Sequence, residues 1–136
     1  MKKTTNKFQD AYMIAKAYLE TLEAQEREAD HQYIIDHGIK NPDGSIPECI
    51  YCIEDEETFD RANAEQAAIT EKSGLWNQIL SARAGLEIAE EKLIQYGLSI
   101  APEHEREVLM KAVKEDYTVR MKVINLVLNL DVSTVK

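Results

Sequence analysis

The residues best suited to chemistry are two thiols, in Cys49-Ile50-Tyr51-Cys52. Two thiolates at this spacing can chelate one metal ion, or form a redox pair where a helix N-terminus acidifies the first. A structural zinc needs further ligands. The histidines are His31, His37 and His104, and His37 lies just before the loop that carries the thiols. The candidate metal set is therefore Cys49, Cys52 and His37. The acids that follow, Glu54-Asp55-Glu56-Glu57, raise a neighbouring thiol pKa and count against redox chemistry, although a helix N-terminus would partly offset them. A lone CxxC is a weak motif, so no cofactor is expected, with zinc as the alternative.

Glu28-Ala29-Asp30-His31 has the Glu-x-x-His spacing of carboxylate-bridged iron in helical bundles. That chemistry requires a second copy of the motif. Ala101 precedes His104 by three and Ile34 precedes His37 by three, so a solvated helix face is the simpler reading. No phosphate-binding glycine loop, nucleophile elbow or His-based acid–base pair occurs. Trp76, the one tryptophan, is expected in the core. No catalytic residue stands out, and the chain is expected not to be an enzyme.

Charge gives a stronger signal. The formal net charge is −9, and residues 41–72 carry 9 acidic and 2 basic side chains. Glu48, Glu54, Asp55, Glu56, Glu57 and Asp60 are interleaved with Tyr51 and Phe59, so this stretch combines spaced negative charge with aromatic anchors. Such a display can occupy the basic groove of a nucleic-acid-handling protein. The same charge disfavours direct binding to nucleic acid or anionic lipid. A protein partner with a basic surface is the natural expectation.

These residues must be positioned by helices. Phe8, Tyr12, Ala15, Leu19, Leu22, Ala29 and Tyr33 recur at steps of three and four, interrupted at Glu26, which predicts a helix over 5–37 with a seam to be covered by other helices. Thr5 or Asn6 is its N-cap and Gly38 its terminator. Asn41-Pro42-Asp43-Gly44-Ser45 predicts a turn within a loop or small hairpin over 39–53. A second helical region over 55–97 is kinked or divided near Gly74, and a third covers 102–130, although 123–132 also alternates at the strand period.

The fold class expected is therefore all-α: one domain over 1–136, an elongated antiparallel bundle of three long helices with coiled-coil character. A hydrophobic fraction of 44% supports a packed core. No apolar run suits a signal peptide or membrane span, so a cytoplasmic location is expected. Long seams predict a homodimer. The functional expectation is a non-enzymatic protein-interaction module, in its sharper form an acidic inhibitor or regulator of a basic nucleic-acid-handling protein. The alternatives are a CxxC-centred metal or redox protein and a structural coiled-coil assembly factor.

Overall fold

The computed structural model describes residues 4–134. It is all-helical, with 80% helix and no strand among the described residues. Five α-helices follow in order: α1 (Lys7–Asp36), α2 (Glu56–Ser73), α3 (Leu75–Ile100), α4 (Glu103–Glu115) and α5 (Tyr117–Leu128). Short 3-10 turns occupy Ile50–Cys52 and Val132–Thr134. None of these helices is long and apolar enough to cross a membrane.

The expected break near Gly74 is present, and a further break at Asp116 brings the helices to five. Gly74 adopts φ 79°, a left-handed conformation open to glycine, and closes α2 by donating to Glu71 O. Asp116 divides the expected helix over 102–130. Its extended backbone ends α4 while its side chain accepts a 2.9 Å hydrogen bond from Thr118 N, capping α5. The alternating stretch 123–132 is helical to Leu128 and forms no strand. Of the two forms expected over 39–53, the structure takes the loop and not the hairpin. Asn41 spans that loop, accepting from Glu54 N at 3.0 Å and donating to Cys52 O at 3.3 Å.

The seam along α1 is placed residue by residue. Tyr12, Leu19, Leu22 and Tyr33 are buried, while Phe8, Ala15 and Ala29 are half-buried. Asn6 caps the helix through a reciprocal box. Its side chain accepts from Gln9 N at 3.0 Å, and Gln9 Oε1 accepts from Asn6 N at 2.8 Å. At the other end Gly38, φ 62°, is followed by Ile39 N donating to Ile34 O, a Schellman closure.

The chain divides into two compact units, the first comprising residues 1–17 with 83–136 and the second residues 18–82. The first unit buries Tyr12, Ala89, Leu93, Ile94, Leu98, Val113, Ile124 and Val127 together. Its buried polar groups are satisfied. The Gln9 amide, 1% exposed, donates to Val127 O at 2.8 Å and Leu130 O at 3.0 Å, taking up carbonyls at the end of α5. Arg106 does the same for α3, donating to Leu98 O, Ser99 O and Ala101 O. Arg120 pairs with Glu90 at 2.7 Å and Glu91 at 3.4 Å. The second unit buries Tyr33, Ile34, Ile50, Ile53 and Ala62 together, with Ile39 and Phe59 packed against them.

Gly97 lies inside α3 and does not end it, contrary to the boundary expected at 97. A Cβ there would stand 2.6 Å from Val127 Cγ2, so the missing side chain allows α5 to approach. Gly97→Ala gains up to ~1 kcal/mol in helix propensity, but overpacking costs ~1–3 kcal/mol against a stiff β-branched neighbour. The substitution is expected to lower the melting temperature in the wild-type background and to raise it in a Val127→Ala background. Thermal unfolding of the four proteins checks this, and a rise in both backgrounds contradicts it.

Candidate functional site

The acidic segment is built around the start of α2. Asp55 is its N-cap, accepting from Thr58 N at 3.0 Å and Thr58 Oγ1 at 2.6 Å, and these bonds hold the Asp55 carboxyl below its ordinary pKa. Glu56 and Glu57 occupy the first turn, where carboxylates complement the helix dipole. Glu48, Glu54, Asp55, Glu56, Glu57 and Asp60 are all exposed. The two aromatic anchors differ. Tyr51 is 81% exposed, whereas Phe59 is half-buried against the Tyr33–Ile34 core, with the ring centroids 6.0 Å apart. One acid of the segment is thus a structural cap, and one aromatic belongs to the core.

The whole second unit shares this character. Residues 18–82 hold 15 acidic and 4 basic side chains, a net of −11, while the rest of the chain sums to +2. Among the described residues the only ion pair in this unit joins Glu65 to His37, at 3.8 Å, and no carboxylate there pairs with Lys or Arg. The negative charge is left to solvent and counterions.

The proposed metal set is not gathered. Cys49 and Cys52 are free, with their sulfurs 2.7 Å apart, and the hydrogen bond between them, together with burial, raises the Cys49 pKa. A raised pKa disfavours the free thiolate that nucleophilic redox chemistry requires. His37 is engaged elsewhere. Its ring stacks on Tyr33 at 3.9 Å between centroids, and its Nδ1 lies 2.9 Å from Tyr33 O. Among the described residues no group of three or more His, Cys, Asp and Glu side chains is arranged to hold a metal ion. His31 and Glu28 lie on α1, half-buried and exposed respectively. Trp76, expected in the core, is 41% exposed at the start of α3.

What the sequence did not single out is the tie between α1 and α2 inside the second unit. Tyr33 OH donates to Glu65 Oε2 at 2.5 Å, beside a cavity of about 520 Å³ that Arg61 and Lys40 also line. Burial, with the Glu65 bond and charge added, pushes the Tyr33 phenol up from 10.0 to about 12. Compared with known proteins, the chain matches no family, no curated protein and no solved structure.

Because the folded-state phenol pKa is raised, its stabilising contribution is complete below pH 10.0 and is lost as pH rises through about 12. Tyr33→Phe removes that dependence. The variant is expected to cost ~1 kcal/mol near neutral pH and to show a shallower loss of stability across the alkaline window than wild type. Urea unfolding of both proteins across that window checks this, and parallel curves contradict it.

Proposed function

We propose that the chain is a non-enzymatic, cytoplasmic protein-interaction module whose acidic second unit docks on a basic surface of a protein partner. Its sharper form is restraint of a nucleic-acid-handling protein, whose cationic groove recognises spaced carboxylates. The observation that carries this reading is the net −11 on residues 18–82 with no carboxylate paired to Lys or Arg among the described residues. Self-repulsion of this kind weakens a small unit, and a partner that supplies the missing cations removes the penalty. The exposed start of α2, with Tyr51 beside it, is the part of the unit where charge and an accessible aromatic coincide. Homodimerisation is a second proposal, favoured by Leu80 and Ile88, which stand 61% and 58% exposed on α3.

The test separates charge from fold by leaving the Asp55 cap in place. In the variant Glu54→Gln, Glu56→Gln, Glu57→Gln, Asp60→Asn, helical content should be close to wild type and melting should not fall, because the lost dipole contributions of ~0.3–1 kcal/mol at each first-turn carboxylate are offset by relief of the unit's self-repulsion. Partners captured from the native host by wild-type protein should associate with the variant at least ~10-fold more slowly. Wild-type association should also slow steeply between about 50 and about 500 mM NaCl. A captured partner that binds the variant normally and ignores salt contradicts the reading.

A further inference from the structure

The second unit contains a cavity of about 240 Å³ whose wall carries Glu26, Asp30, Tyr51, Asn63, Gln66 and Trp76. Gln66 is 5% exposed, and its Nε2 has no hydrogen-bond partner. A buried amide donor left unmade is costly, and native proteins retain few of them. The Asp30 carboxyl lines the same cavity. Burial, followed by repulsion from Glu26, raises the Asp30 pKa; Gln66 tempers that rise without closing a bond of ordinary geometry. Glu26 is also the residue that interrupts the apolar seam of α1, so a carboxylate stands where the helical pattern calls for a core side chain. The cavity wall thus carries two mutually repelling carboxylates, an amide donor that closes no hydrogen bond, and the chain's single indole.

One kind of group resolves all three. We propose that this cavity receives the guanidinium of an arginine side chain, paired with the Asp30 and Glu26 carboxylates and stacked on the Trp76 ring. The cation stabilises ionised Asp30, whose second oxygen then accepts from Gln66 Nε2. A planar, weakly hydrated guanidinium suits a site of carboxylates beside an aromatic face better than a compact ammonium does. The volume is of the size of a single side chain. The inference rests on the docking reading for the source of the arginine, a basic protein partner, but the cavity residues do not include the four acids altered in the test of that reading.

Trp76 is the only tryptophan, so its fluorescence reports on this cavity alone. Titration of the purified full chain with N-acetyl-L-arginine amide should give a saturable change in emission. N-acetyl-L-citrulline amide, similar in shape but uncharged, should give none. Asp30→Asn should weaken the arginine response at least ~10-fold. Gln66→Leu removes the unpaired donor, and should raise the melting temperature while weakening the response; it provides a folded variant should Asp30→Asn prove unstable. The variant Glu54→Gln, Glu56→Gln, Glu57→Gln, Asp60→Asn should titrate as wild type. Absence of saturation, an equal response to the citrulline amide, or arginine binding unchanged in both Asp30→Asn and Gln66→Leu overturns the proposal. Because the titration involves no partner, its failure leaves the salt-dependent docking test standing, and failure of that test leaves the titration standing.

Discussion

The structure of the second unit is governed by charge that it does not neutralise. Fifteen carboxylates share 65 residues with four basic side chains, and none of them finds a Lys or Arg among the described residues. Like charges at this density oppose compaction. The unit manages them by exposure, by setting Glu56 and Glu57 at the positive end of α2, and by using Asp55 as a cap. What holds it together is the apolar cluster of Tyr33, Ile34, Ile50, Ile53 and Ala62, with the Tyr33–Glu65 hydrogen bond and Asn41 bridging the loop.

The first unit follows the opposite rule. Its charges nearly balance, Arg106 holds helix-end carbonyls and Arg120 pairs with carboxylates, and its most buried polar residue, Gln9, has its amide donor and its carbonyl acceptor both engaged. Gln66 in the second unit has the same side chain and nearly the same burial, with an unpaired donor. A satisfied amide fixes helix ends; an unsatisfied one lowers stability and persists where something outside the chain completes it. This contrast is the ground on which binding is proposed for residues 18–82 and not for the remainder of the chain.

Much of the helical layout was legible because it rests on local rules. The three- and four-residue steps from Phe8 to Tyr33 are a property of helix geometry, and Gly38 and Gly74 mark positions where only a left-handed residue ends a helix without strain. Asp116 was missed because it lies within an otherwise continuous apolar period from Leu109 to Leu128; the signal was there in Asp116-Tyr117-Thr118, a cap followed by a new first turn. Gly97 looked like a terminator because sequence alone cannot distinguish a glycine that frees the backbone from one that makes room for Val127. The acidic segment was visible as composition, but Asp55 as a cap and Phe59 as a core residue required coordinates. The Asp30–Gln66–Trp76 cavity draws on three helices, and no spacing rule joins them; Glu26, breaking the seam, was its one trace in the sequence.

The most direct measurement is the melting temperature of the full chain as a function of NaCl, from about 10 to about 500 mM, a range over which the Debye length falls from about 30 Å to a few ångströms. Unneutralised carboxylates on residues 18–82 predict a steady rise as screening relieves repulsion. A melting temperature that stays flat or falls would mean that attractive pairs dominate, and would contradict the assignment of this charge to a partner.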